Sequence, residues 1–142
     1  MIRIAFLGDI AFLGQFDNSQ TRDTKKRVSF LKKELQNYDI VIANLESPLT
    51  SLKKTYVCKS MHLKADPCNV ELLKYLNISA VSLANNHIAD YGKKGIQETI
   101  ELLEKAGIKW FGVGGKALKL LLNGERLSIS GFCCYSTNGT HY

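Results

Sequence analysis

The sequence predicts an α/β fold: a largely parallel β-sheet covered by helices, with a β-hairpin at its C-terminal end. Short apolar runs alternate with stretches of helical period, as strand–helix–strand units do. The runs stop at polar residues, Gly8-Asp9, Asn44-Leu45-Glu46 and Asn86-His87, on one side of such a sheet. Late in the chain two apolar stretches flank Asn123-Gly124. That dipeptide suits a two-residue hairpin turn, because both positions need φ > 0.

The elements follow in order. Ile2 to Leu7 reads as a buried strand closed by Gly8-Asp9. A helix is expected over Thr24 to Gln36. Its Lys25, Lys26, Arg27, Lys32 and Lys33 form a solvated face opposite Val28, Leu31 and Leu35. Asp39 to Ala43 is the second strand. From Ser47-Pro48-Leu49-Thr50 a long connection runs on, and loops of that length within a domain usually serve function. Asp66-Pro67 starts the next helix with an N-cap carboxylate and a proline at the first helical position; it runs to about Leu76. Ile78 to Leu83 is the third strand and leads into Ala84-Asn85-Asn86-His87. Gly95 to Ala106 is a helix with Ile96, Ile100 and Leu103 inward, closed by Gly107. Lys109 to Val113 is the fourth strand. Leu118 to Leu122 and Arg126 to Phe132 complete the hairpin. With no repeat or linker in view, residues 1–142 are read as one domain.

Composition sets limits on function. The hydrophobic fraction is 45% and the charged fraction 23%, values of an ordinary globular chain. No apolar run approaches the roughly 20 residues of a membrane span. Met1 to Leu7 is too short for a secretory leader, so a cytoplasmic location is expected. The net charge of +6 comes largely from the one helix face, without the interleaved aromatics of nucleic-acid modules. Gly112-Val113-Gly114-Gly115 matches neither a dinucleotide fingerprint nor a P-loop. Cys58, Cys68, Cys133 and Cys134 form no CxxC pair, and Cys58, His62 and Cys68 fit no usual zinc spacing.

Candidate site residues come from the strand ends. Asp9, Glu46, Asn86 and His87 would converge beyond the carboxyl edge of a parallel sheet. Carboxylate, amide and imidazole together suit manganese, iron or zinc. Taken singly, each has a structural reading as well: Asp9 as a turn cap, Asn44 satisfying loop backbone, Glu46 as a surface charge, Asn85-Asn86 as a turn, His87 as a packed histidine.

Several blocks resemble those of the CapA family, the capsule and poly-γ-glutamate synthesis proteins of the calcineurin-like metallophosphoesterase superfamily. They are Gly8-Asp9, Ala43-Asn44-Leu45-Glu46-Ser47-Pro48-Leu49-Thr50, Ser82-Leu83-Ala84-Asn85-Asn86-His87 and Asp90-Tyr91-Gly92. Gly95, Thr99, Leu103, Gly107-Ile108 and Gly112-Val113-Gly114 extend the likeness. The resemblance implies a metallophosphoesterase-like layered fold. It also implies a divalent-metal site with Asp9 as first metal aspartate, Asn44 near the bridging position, Glu46 as a substitute carboxylate and Asn86 as a ligand. His87 would face the leaving group as general acid or charge stabiliser.

Departures from the pattern are visible. Ala11 stands where superfamily phosphatases carry a histidine, and a neutral Asn44 amide is a poor metal bridge. Full domains of this type continue into further histidine blocks, whereas the sequence reaches His141-Tyr142 before any, so an incomplete domain is expected. Its unpaired sheet edge would favour self-association.

Two functions follow as expectations. One is metal-dependent hydrolysis of a phosphoester or related bond in capsule or poly-γ-glutamate biosynthesis. The other is a non-catalytic part in assembly or export of a polyanionic envelope polymer, or an inactive truncated homologue. In that case Lys53, Lys54, Lys59, Lys64, Lys93 and Lys94 near the site loops would attract the polymer, with envelope association through the family's role.

Overall fold

The computed structural model describes residues 1–19, 23–56 and 58–134; His141 and Tyr142 lie outside them. Four strands form one parallel sheet in the order β1 (Ile4–Ile10), β2 (Ile40–Leu45), β3 (Ala80–Ser82), β4 (Lys109–Phe111). Two further strands, β5 (Leu118–Leu122) and β6 (Glu125–Ile129), pair antiparallel as a separate two-stranded sheet. Helices α1 (Thr24–Arg27), α2 (Ser29–Leu35), α3 (Val70–Tyr75) and α4 (Gly92–Lys105) lie between the strands in sequence.

Side-chain alternation divides the sheet's faces. Val41, Ala43, Leu45, Val81 and Leu83 are buried with Leu35, Leu72, Leu73, Leu76, Ile96 and Leu103 of the helical segments. Ile42, Ala80 and Phe111 form a smaller core on the other face with Leu118, flanked by Ile4, Ile40, Leu120 and Ile129. Helices therefore cover one face, and the hairpin meets the other.

Element bounds differ from the sequence reading in instructive ways. β1 does not stop before Gly8-Asp9. Pairing is irregular between Phe6 and Asp9, then resumes with Asp9 opposite Asn44 and Ile10 opposite Leu45. Three steps along β1 thus match two along β2, the signature of an extra residue. A one-residue slip changes which face a side chain takes, so the irregularity aligns Asp9 with Asn44.

The helix expected over Thr24 to Gln36 is broken at Val28, whose ψ of 11° departs from helical values. Val28 is β-branched and a modest helix former. The Ser29 hydroxyl bonds the Lys26 carbonyl at 2.8 Å, offering the backbone a local alternative.

The helix begun at Asp66-Pro67 opens with a 3₁₀ turn, and Asp66 Oδ1 accepts from the Cys68 N–H at 2.9 Å. Helix α4 starts at Gly92, three residues ahead of Gly95. The third and fourth strands are shorter than read, because pairing is confined to Ala80–Ser82 and Lys109–Phe111. The hairpin turn is as expected: Asn123 has φ 51° and Gly124 φ 85°.

Candidate functional site

Parallel register places Asp9 beside Asn44 and Asn44 beside Ser82, at the carboxyl ends of β1, β2 and β3. Asn44 is the hub. Its Nδ2 donates to Asp9 Oδ1 at 2.7 Å and to Glu46 Oε2 at 2.6 Å. Its Oδ1 accepts from Asn85 Nδ2 at 3.2 Å. Asp9, Asn44 and Glu46 therefore meet, although Asp9 is 35 residues from Asn44.

Asn85 shapes the turn that follows β3. Its Oδ1 accepts from the backbone N–H groups of His87 (3.0 Å) and Ile88 (2.9 Å), while its Nδ2 also donates to the Leu45 carbonyl at 2.9 Å. One side chain thus ties the end of β2 to the histidine turn. Asn86, the amide expected as a metal ligand, is half-buried and has no side-chain hydrogen bond among the described residues.

His87 is held from behind. Its Nδ1 lies 2.9 Å from Asp90 Oδ2, and Asp90 is fully buried. Asp90 Oδ2 also accepts from the Leu63 N–H at 2.7 Å, and Asp90 Oδ1 forms an ion pair with Lys59. Lys59 Nζ further donates to the Asn86 carbonyl at 3.0 Å and lies 3.1 Å from His87 Nδ1. A carboxylate can only accept and an ammonium only donate. Of the two contacts at Nδ1 the one with Asp90 is the shorter, 2.9 Å against 3.1 Å, so the ring is assigned with its Nδ1 proton toward Asp90 and its Nε2 outside this cluster.

Asn85, Asp90 and Lys59 were not singled out for these roles by the sequence. Asp90 belongs to the Asp90-Tyr91-Gly92 block, and its spacing of three from His87 is the signal that points to it. Lys59 is among the lysines expected to attract a polymer. Instead it is engaged by Asp90, and Lys64 by the Leu52 carbonyl (2.9 Å) and the Tyr91 ring. Lys54, Lys93 and Lys94 line a cavity of about 650 Å³ with Leu52, Tyr56 and Tyr91, beside the Asp90 turn. Burial, then the neighbouring Asp90 charge, pushes the Tyr91 hydroxyl's pKa up.

Two carboxylates gathered on one amide nitrogen suit a divalent cation, and the residues fit one to that extent. Among the described residues no group of three His, Cys, Asp or Glu side chains gathers around such a point. Nor do Cys58 and Cys68 offer an alternative: Cys58 is exposed, and the Cys68 thiol is pushed up to about 11 by burial and then by its hydrogen bond with Asp66. No helix among the described residues is long and apolar enough to cross a membrane.

Residues 3–124 match the protein family described as bacterial capsule synthesis protein PGA_cap. The chain is 36% identical to the capsule biosynthesis protein CapA of Bacillus anthracis over 69% of its own length and 26% of the relative's. It is 27% identical to the PGA biosynthesis protein CapA of Bacillus subtilis, over 98% of its length and 39% of the relative's. A probable polyglutamine synthesis accessory protein of Mycobacterium tuberculosis is 37% identical over 56% of the chain and 21% of its own length. The chain thus spans well under half the length of these relatives.

Proposed function

Because this chain belongs to the bacterial capsule synthesis protein family, we propose that it works in capsule or poly-γ-glutamate-type biosynthesis through a metallophosphoesterase-like site at the ends of β1, β2 and β3. The reaction we assign is hydrolysis of a phosphoester or related bond. The observation that carries this reading is the fully buried Asp90 behind His87 Nδ1 at 2.9 Å. A buried acceptor that fixes one ring nitrogen leaves the other aimed for proton transfer. His87 then holds or moves a proton at the leaving oxygen through Nε2, while Asp90 sets the ring's tautomer and angle. Asp9 and Glu46, with Asn86 as a further donor, would hold a divalent cation of the manganese, iron or zinc type, which when bound supplies polarisation of a phosphoryl oxygen.

Turnover of a chromogenic phosphodiester with Mn²⁺ tests this. His87→Gln is expected to lower the rate by about 10²-fold or more, the usual worth of a positioned acid–base group. No turnover above buffer by the wild type, or equal rates in the variant, sinks the assignment.

A second reading has its own support in the cavity lined by Lys54, Lys93, Lys94, Tyr56 and Tyr91. Clustered lysines beside the site would collect a polyanionic polymer without chemistry. That reading expects binding of poly-γ-glutamate that weakens with salt and survives His87→Ala. Binding that is absent, or indifferent to salt, removes it.

A further inference from the structure

We propose that Asn85 locks the Asn44 amide with its nitrogen toward Asp9 and Glu46, so that Asn44 is a bridge between two carboxylates that a cation must displace, and not a ligand of that cation. The proposal takes its cation from the proposed function; the orientation of the amides stands without it.

The lock begins at the backbone. Asn85 Oδ1 receives two N–H groups, from His87 and Ile88. Reversing this amide would set its NH₂ against both donors and leave each of them unpaired. On its other side Asn85 Nδ2 has the Leu45 carbonyl and Asn44 Oδ1 as acceptors. A fixed donor there demands an oxygen from Asn44. The Asn44 nitrogen is thereby turned outward, and its two hydrogens serve one carboxylate each, at 2.7 and 2.6 Å. Bonds to ionised acceptors are stronger than neutral ones. The amide therefore holds two like charges together in the way a cation would.

A cation entering at this point meets N–H hydrogens. Asn44 cannot simply turn over, because its NH₂ would then face the immobile NH₂ of Asn85. It has to swing aside. An aspartate in its place would keep an acceptor for Asn85 and put a third carboxylate beside Asp9 and Glu46.

Calorimetric titration with Mn²⁺, with thermal unfolding in chelator and in Mn²⁺, tests this on wild type, Asn44→Ala and Asn44→Asp. Asn44→Ala should bind Mn²⁺ at least as tightly as wild type. Asn44→Asp should bind about tenfold more tightly, since ligand charge sets affinity, and should melt below wild type in chelator. Weaker binding by Asn44→Ala overturns the proposal, since it makes the amide a ligand. Asn44→Asp binding no tighter than wild type also overturns it. If wild type is silent to Mn²⁺ while Asn44→Asp binds, the bridge stands and the cation reading of the wild-type site falls.

Discussion

Asp90 is a charge with no exposed surface, and separate parts of the chain converge on it. Lys59 supplies the counter-charge, Leu63 a backbone N–H and His87 its Nδ1 at 2.9 Å. Removing one partner of a buried pair leaves the other charge uncompensated. Asp90→Ala should therefore destabilise by about 3–5 kcal/mol in denaturant unfolding; a loss below about 1 kcal/mol would show that Lys59 reaches water easily. Ser47 behaves oppositely. Its hydroxyl is fully buried and has no hydrogen-bond partner among the described residues. Such a group bears a desolvation cost with no return, so Ser47→Ala is expected to leave the melting temperature unchanged or raise it. A clear drop would mean that the hydroxyl has a partner. Cys68 gives a pH prediction. With its thiol pushed up to about 11, it stays protonated at pH 8–9 and should alkylate more slowly than exposed Cys58, while Asp66→Asn speeds it. The folded form keeps a proton that the unfolded form releases above about 9, so this group's contribution to stability falls as pH rises through that window. Equal alkylation of Cys58 and Cys68 at pH 8 would contradict the environment described.

Between elements, the close approach of the β3 and β4 ends sets the site's shape. Gly112 has φ 91°, and a Cβ there would lie 2.7 Å from Ala84 Cβ and 2.9 Å from Ala84 N, next to Asn85. Gly114 shares a positive φ of 60° but has open space around it. Gly114→Ala should cost about 1–2 kcal/mol of backbone strain. Gly112→Ala adds a clash and should cost clearly more, while disturbing the Asn85 turn. Equal melting temperatures for the two would deny the crowding. The sequence made this layout partly legible. Gly107 and Asn123-Gly124 announce themselves because only certain residues accept positive φ. The strand-end polar blocks were readable because parallel strands share one carboxyl edge. The irregularity between Phe6 and Asp9 was not, since strand period says nothing of an inserted residue until the partner strand is known. Nor could the sequence rank Asn85 against Asn86: they are identical neighbours, and only the Leu45 carbonyl and Asn44 reveal which one is the tie. Lys59 lay hidden in a connection without periodicity, where nothing local signals a contact 27 residues away.

The molecule's two cores are unequal, and this predicts how it opens. On the helical face Val41, Leu45, Leu73, Val81, Leu83 and Leu103 have no exposure at all. On the other face the hairpin contributes only Leu118 to the buried set, with Leu120 and Ile129 partly covered and Leu121 70% exposed. Its strands bond to each other and not to the four-stranded sheet. A two-stranded hairpin is marginal alone, so its stability rests on that small contact. Units with few buried contacts open without global unfolding. Hydrogen exchange should therefore find the paired amides of β5 and β6 much less protected than those of Val41 to Ala43 and Val81. Leu118→Ala should widen this gap, speeding exchange in the hairpin while leaving the helical-face core nearly unchanged. Equal protection of hairpin and central strands would instead make the chain one cooperative unit. Asn44 lies on the same side of β2 as Ile40 and Ile42, two places apart along the strand, so the less stable layer covers the face of β2 that carries Asn44. Loosening of the hairpin leaves the Asp90–His87 pair, anchored to the connection by Lys59 and Leu63, in place.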